Sequence, residues 1–253
     1  MGIIGSQQIW ATHHQCLNDT QEFLHAKEIF RRELAGQADA NPLSAAMWHT
    51  LDGEGFEGVP LYVASLSEEP DSLAQWRAYG GPASGFSLGF ETNGIVLPSR
   101  FRLVPCIYDK ENQREKVRSL VDDIRGRAPG YTTGNPEPLR LYVSVSSRIA
   151  LHTLALVFKH PKFAAEKEWR IISEAMMDSP PGAPLDFREG RSMLIPYRRV
   201  PLRNSRNCFP LTHVVVGPNP NPEQSVRSVR SLLASHRLTH CNPRMSEVPY
   251  RSW

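Results

Sequence analysis

Glu166-Lys167-Glu168 is the strongest local chemical signal in the sequence. In an extended segment, the side-chain period of two puts Glu166 and Glu168 on one face and Lys167 on the other. Neighbouring carboxylates raise one another's proton affinity, so one stays an anion while the other exchanges a proton. Such a pair suits stabilisation of an oxocarbenium-like centre and activation of a hydroxyl nucleophile. In a helix the same residues point apart as a solvated charge run, and spacing alone favours that second reading.

Ser65-Leu66-Ser67 ends a predicted strand and follows the same logic, with two hydroxyls on one side. Serines at strand ends also serve as turn formers. Trp76, Arg77 and Tyr79 form an aromatic and cationic cluster able to stack on a base or hold a phosphate, although core packing is the commoner use of such a tryptophan. His13-His14 sits in a predicted strand, where the two imidazoles diverge and cannot share a metal. The nine histidines show no HExxH or His-x-His pattern, and no metal site is expected. P-loop and GxGxxG signatures are absent. Gly85-Phe86-Ser87-Leu88-Gly89 has the outline of a nucleophile elbow, but Ser87 lies in strand alternation with no helix after it.

Around these residues the pattern predicts mixed helices and strands without regular βαβ alternation, hence an α+β class with small mixed or antiparallel sheets. The chain opens on a helix end (Ile3 to Ser6) and a short strand (Gln8 to Thr12). Asn18-Asp19 then caps a helix from Thr20 to Leu34. A short helix holds Met47, Trp48 and Leu51. Strands follow at Leu61–Ser65, Gly85–Phe90 and Phe101–Tyr108, with a helix at Asp71–Arg77 capped by Asp71. Asp109–Arg127 is an amphipathic helix that buries Val117, Leu120, Val121 and Ile124. Ala128–Pro138 is a Gly/Pro-rich loop and the natural subdomain break within one domain spanning 1–253. Leu139–Lys159 reads as a central helix stopped by His160-Pro161. Strands are predicted at Ser192–Arg198 and Thr212–Gly217, a helix at Pro222–His236, and an edge strand at Glu247–Tyr250.

The chain has 253 residues, 40% of them apolar and 22% charged, which rules out bulk disorder and a fibrous repeat. No apolar run spans a bilayer, Met1–Trp10 lacks signal-peptide character, and four scattered cysteines form no CxxC pair. A soluble, reduced, cytoplasmic protein is the expectation. The net charge of +3 divides into −6 for residues 1–126 and +9 for residues 127–253, and 23 of the 29 basic residues are arginine. Arginine's fork suits phosphates and carboxylates. The basic half, with Arg198, Arg199, Arg203 and Arg206, therefore suggests docking on nucleic acid or an acidic partner, or an internal match to the acidic half.

Several segments together resemble a bacterial and phage family known only as a domain of unknown function. These are Trp10-Ala-Thr with Leu17-Asn18-Asp19-x-x-Glu22-Phe23, and Ser65-Leu66-Ser67 with Asp71-x-Leu73-x-Gln75-Trp76-Arg77-x-Tyr79-Gly80. Gly85 to Phe90, Lys159-His160-Pro161-x-Phe163-x-x-Glu166-x-Glu168-Trp169-Arg170 and Val216-Gly217-Pro218 complete the set. That family is similar to ADP-ribosyltransferases, which hold NAD in a cleft between two small sheets. The resemblance implies NAD as substrate, with Glu168 on the nicotinamide ribose, Glu166 on the acceptor and Ser65 buttressing Glu168. Ser67, Trp76 and Tyr79 would line the cofactor site, and Arg77 or Arg170 would meet the pyrophosphate by charge. The implied activity is transfer to a protein or nucleic-acid acceptor by a toxin or anti-phage effector, with hydrolysis of NAD as the variant lacking an acceptor. Family members usually begin with a further strand of the type Leu-Tyr-His-Tyr-Thr, and this sequence starts after it.

Overall fold

The computed structural model describes residues 2–17, 21–35, 42–52, 59–80, 85–128, 137–175 and 185–249. The elements run α1 (Gly2–Ser6), β1 (Gln8–His13), α2 (Gln21–Ala35), α3 (Pro42–Asp52), β2 (Tyr62–Ser67) and α4 (Leu73–Tyr79). Next come β3 (Phe86–Phe90), β4 (Ile95–Val96), β5 (Phe101–Pro105), α5 (Lys110–Arg127), α6 (Glu137–Ala155) and β6 (Glu168–Ser173). The chain finishes with β7 (Leu185–Glu189), β8 (Leu194–Pro201), β9 (Arg203–Asn204), β10 (Leu211–Val216), α7 (Pro222–Ser235) and β11 (Asn242–Met245). The architecture is α+β, with mixed and antiparallel sheets flanked by helices, as the element pattern predicts.

Two compact units form, each from separated stretches of chain. The first combines Met1–Trp10, Ser67–Arg100 and Arg199–Trp253; the second combines Ala11–Leu66 and Phe101–Arg198. The expected break at 128–138 is not a boundary between them, and residues 129–136 lie outside the described residues. The acidic and basic halves of the sequence do not survive as units either. The first unit holds ten arginines, no lysine and six acidic residues, for +4, and the second holds 19 basic and 20 acidic residues, for −1.

The six-stranded sheet has the order β5-β6-β2-β1-β8-β7, and its strands β5, β6 and β7 lie wholly in the second unit. β5 pairs antiparallel with β6, and β7 with β8. Against it packs a helical core in which periodicity did what it predicts. α2 contributes Ala26, Phe30 and Leu34, α3 Met47, α5 Val117, Val121 and Ile124, and α6 Val143, Ala150 and Leu151. Leu61, Val63 and Ile172 meet them from the strands. Asp109 caps α5 by accepting from the Asn112 amide at 2.9 Å. α6 stops at Ala155, four residues before the expected end, because the chain then straightens to bridge Phe158 with Ile107. The cap predicted at Asn18-Asp19 lies outside the described residues.

The first unit is built on a three-stranded sheet, β11-β10-β3, with β10 in the middle. β3 runs antiparallel to β10 and β11 runs parallel to it, so Phe86, Val216 and Met245 form one row across the sheet. The final strand is therefore Asn242–Met245 rather than Glu247–Tyr250. The chain leaves β11 at Ser246, whose amide still donates to Val216 O at 2.8 Å, while Tyr250 lies outside the described residues. α7 buries Val226, Val229 and Leu233.

Asp71 is not the helix cap of α4; Ser72 occupies that position. Asp71 instead accepts from Trp76 Nε1 (2.7 Å), Ser246 Oγ (2.5 Å) and the Glu247 amide (2.7 Å), which ties α4 to the end of β11. Burial raises its proton affinity, but these donors and Arg244 outweigh it and hold the carboxyl below its usual range.

Candidate functional site

Lys159 is the hub of the predicted carboxylate site. Its backbone is fixed from two sides: Ile107 N donates to Val157 O at 2.7 Å, and Lys159 N donates to Ile107 O at 3.1 Å. Gln113, fully buried on α5, donates from Nε2 to the carbonyls of Ile107 (2.6 Å) and Lys159 (2.9 Å). Its Oε1 lies 3.0 Å from His25 Nε2. Each polar group of that glutamine thus has a partner, as burial requires.

The stretch from Glu166 to Glu168 is neither continuously extended nor helical. Glu166 closes a 3-10 turn (Pro161–Glu166), Lys167 is left-handed (φ 42°, ψ 49°), and Glu168 opens β6. The period-two argument fails, yet the two carboxylates still converge. Each places Oε2 2.5 Å from Lys159 Nζ. Glu22, from the first turn of α2, brings a third carboxylate to 3.8 Å of the same nitrogen. The ring of Phe163, from the 3-10 turn, has its centroid 5.4 Å from that ammonium.

Arg170 completes the network. Nη1 and Nη2 donate to Glu22 Oε2 and Oε1, both at 2.7 Å, in the two-point geometry that suits guanidinium and carboxylate. Nε donates to Glu168 Oε1 at 2.7 Å, Nη2 also reaches Glu168 Oε2 at 3.3 Å, and Nη1 donates to Leu156 O at 2.8 Å. All five guanidinium donors are engaged inside the protein. A role for Arg170 on a pyrophosphate would require breaking these bonds.

The electrostatics split the two carboxylates that share Arg170. Burial lifts Glu22 above its usual range, opposed by Arg170 and Lys159. Burial pushes Glu168 the same way, but Arg170, Lys159 and the Ser65 hydroxyl outweigh it and hold it low. Lys159 is raised: burial works against its charge, and Glu166 and Glu168 prevail. Tyr108 accepts from the Glu168 amide at 2.9 Å. Burial pushes the neighbouring Cys106 thiol up to about 12, so it is no nucleophile at neutral pH. The network is a persistent anion, Glu168, clamped between two persistent cations. It fastens α2 to β6, and Ser65, Glu166 and Phe163 carry it toward solvent.

The remaining predicted site residues, Ser67, Trp76, Arg77 and Tyr79, belong to the first unit. Ser67 lies in the first unit, exposed, and its Oγ accepts from the Glu69 amide at 3.1 Å, a turn-forming bond. Trp76 is also in the first unit and is buried. A Cβ on Gly217 would come within 2.9 Å of its ring, which identifies Trp76 as a packing residue. Arg77 and Tyr79, in the same unit, are exposed. Of the four clustered arginines, Arg198 is 2% exposed with its guanidinium 4.8 Å over the Tyr62 ring. Arg203 donates to the carbonyls of Leu202 (2.9 Å) and Gln7 (3.4 Å), leaving Arg199 and Arg206 on the surface.

His13 and His14 do not diverge, because β1 ends between them and His14 enters a 3-10 turn. Their ring centroids are 5.0 Å apart, and His14 lies 5.2 Å from His152 of α6. Among the described residues, no group of three or more His, Cys, Asp or Glu is placed to hold a metal. A shallow depression over α5, lined by Ile107, Asn112, Glu115, Lys116 and Ser119, contains none of the predicted site residues. No helix among the described residues is long and apolar enough to cross a membrane.

Residues 75–171 match DUF2971, a family described as a protein of unknown function. No curated protein and no solved structure matches the chain. The match runs from Gln75 of α4 through β6, so it includes Trp76, Lys159, Glu166, Glu168 and Arg170 but neither Ser65 nor Glu22. The family description carries no ADP-ribosyl transfer, which overturns the expectation of a transferase acting as a toxin or phage-defence effector. The geometry agrees with that correction. Both carboxylates of the Glu-x-Glu pair are salt-bridged, Glu166 and Glu168 to Lys159 and Glu168 also to Arg170.

Proposed function

We propose that the protein is a binding module whose arginine-only first unit docks on the phosphates of a nucleic acid. One observation carries the reading: in that unit ten arginines face six acidic residues with no lysine among them. Guanidinium forks meet phosphate oxygens two at a time, a geometry that an ammonium cannot reproduce. On α7, Val226, Val229 and Leu233 take the core side, which leaves Arg227 and Arg230 exposed, and Arg237 follows just beyond the helix, also exposed. Arg227 pairs with Glu223 at 3.5 Å, between two side chains about three-quarters exposed. Such surface pairs contribute little and are readily exchanged for a stronger anion.

The test is binding of labelled oligonucleotides across a salt series. Phosphate contacts release counterions, so log affinity must fall linearly with log salt. Replacing Arg227 and Arg230 with Gln is expected to reduce the slope by about one per lost contact. Affinity that is absent, or flat in salt, sinks the reading.

A second reading, hydrolysis of NAD, is favoured by the hydrogen bond between the Ser65 hydroxyl and the Glu168 carboxylate. Water would attack C1′ of the nicotinamide ribose as the glycosidic bond breaks, its electron pair leaving with nicotinamide and a proton passing to solvent. Glu168 would stabilise the cationic sugar. It ranks second because Lys159 and Arg170 already cancel much of the field that Glu168 could offer such a cation. Nicotinamide release from NAD that is equal in wild type and Glu168→Gln removes it.

A further inference from the structure

We infer that the end of the three-stranded sheet where Tyr79, Phe86 and Met245 emerge is a stacking platform for the unpaired bases of a single-stranded nucleic acid. This rests on the proposed nucleic-acid reading of the same unit and names the kind of strand and the residues that would touch its bases. Tyr79 is 77% exposed, Phe86 58% and Met245 47%, large apolar groups that the core does not use. They are gathered at one end of the sheet by specific contacts. Phe86 and Met245 are the outer members of the row centred on Val216. Tyr79 ends α4, and α4 is held at that same end by Asp71, which joins Trp76 to Ser246 and Glu247.

Two glycines bring Tyr79 and Phe86 near each other. Gly80 follows the tyrosine and Gly85 precedes the phenylalanine, and a Cβ on Gly85 would lie 3.5 Å from Gly80 Cα. The Gly217 amide donates to Gly85 O at 3.0 Å, which holds the entry to β3 in place. The platform is rigid beneath as well, since Trp76 packs against Gly217 directly under this corner. Arg77 of α4 and Arg244 of β11 are exposed, and Arg244 pairs at 3.5 Å with the largely exposed Glu247 and also acts electrostatically on Asp71.

Exposed aromatic faces beside arginines suit bases whose own faces are free, and every base has such a face. In a duplex those faces are already stacked on one another, so the aromatics would add nothing there. Single strands are thereby distinguished from duplexes by the rings, while the arginines supply the salt-dependent attraction common to both.

The experiment compares a labelled single-stranded oligonucleotide with the duplex of equal length, using the full chain. Tyr79→Ala and Phe86→Ala, both surface changes, are expected to weaken single-strand binding about tenfold each. Duplex binding and the salt slope should stay as in wild type, and Tyr79→Phe, which keeps the ring, should bind as wild type does. If both alanine variants hold the single strand as tightly as wild type while the salt slope persists, the platform is overturned and the arginine reading stands. Wild-type preference for the duplex overturns the platform too. If wild type shows no salt-sensitive binding to either, the arginine reading falls and the platform with it.

Discussion

Glu22 and Arg170, 148 residues apart in the chain, meet through two parallel hydrogen bonds of 2.7 Å in a nearly water-free setting. Replacing Arg170 with Met would leave Glu22 and Glu168 buried with Lys159 as their one remaining shared cation among the described residues. Breaking one partner of such a pair costs about 3–5 kcal/mol. Urea unfolding should show that loss in Arg170→Met, and Glu22→Gln in the same background should recover part of it. An unchanged midpoint in Arg170→Met would mean that the network contributes nothing to the fold.

Gln113 has a role that a residue of similar length cannot fill. Gln113→Met keeps the volume but removes the side-chain donor to the Lys159 carbonyl and leaves the Ile107 carbonyl with the Lys159 amide alone, at a cost of about 1–3 kcal/mol. Amide hydrogen exchange should accelerate at Ile107 and Lys159, whose amides belong to the same bridge. Unaltered protection there would show that the backbone bridge holds Lys159 unaided.

Acid should loosen the second unit through two buried histidines. Burial lowers His14 to about 4, with His13 adding to the effect and the Val59 carbonyl opposing it. Burial also lowers His152 to about 4, with His14 and Arg148 adding to it. Both folded values lie below the ordinary 6.5, so the fold favours the neutral rings. Their contribution is whole above pH 6.5 and declines as pH falls from 6.5 toward 4. Thermal midpoints should drop across that window, and His152→Phe, which cannot take a proton, should flatten the drop. A His152→Phe profile parallel to wild type would count against this pair as the cause.

Two glycines in the first unit should answer differently to the same change. A Cβ on Gly217 meets the Trp76 ring at 2.9 Å and the Gly85 carbonyl at 3.0 Å, and neither can retreat. Gly217→Ala is expected to lose about 1–3 kcal/mol by overpacking. The nearest atoms to a Cβ on Gly89 all belong to the His213 imidazole, an end group that can swing away once it gives up its 3.0 Å contact with Thr212. Gly89→Ala should therefore cost less, and denaturant midpoints in the reverse order would contradict the packing described.

The elements that could be read from the sequence were those whose own residues determine them. α5 announces itself through Asp109 and the spacing of Val117, Val121 and Ile124, and α7 through an equally regular stripe. β11 could not be read, because Asn242-Pro243-Arg244-Met245 has no strand pattern and becomes a strand only by lying beside β10. β7 was missed for a similar reason: Leu185-Asp186-Phe187-Arg188-Glu189 alternates weakly and is stabilised by pairing with β8. At the carboxylate cluster the residue types were visible but the geometry was not. Nothing in Glu166-Lys167-Glu168 signals a left-handed lysine, and nothing local assigns Glu22 to Arg170. Lys159 did leave a trace, a single charge closing the apolar run Leu154 to Phe158.

The division of the chain into interleaved stretches also sets an order of events during synthesis. The second unit has all its residues once Arg198 has left the ribosome, and its helical core can close then. The first unit must wait, with Met1–Trp10 and Ser67–Arg100 already made, until β10, α7 and β11 arrive in Arg199–Trp253. During that interval β3 has no neighbouring strand and Trp76 has no Gly217 to pack against. Translation stalled in this window would thus yield a chain with one finished unit and one exposed strand edge, the form most open to chaperone capture or to pairing with another nascent copy.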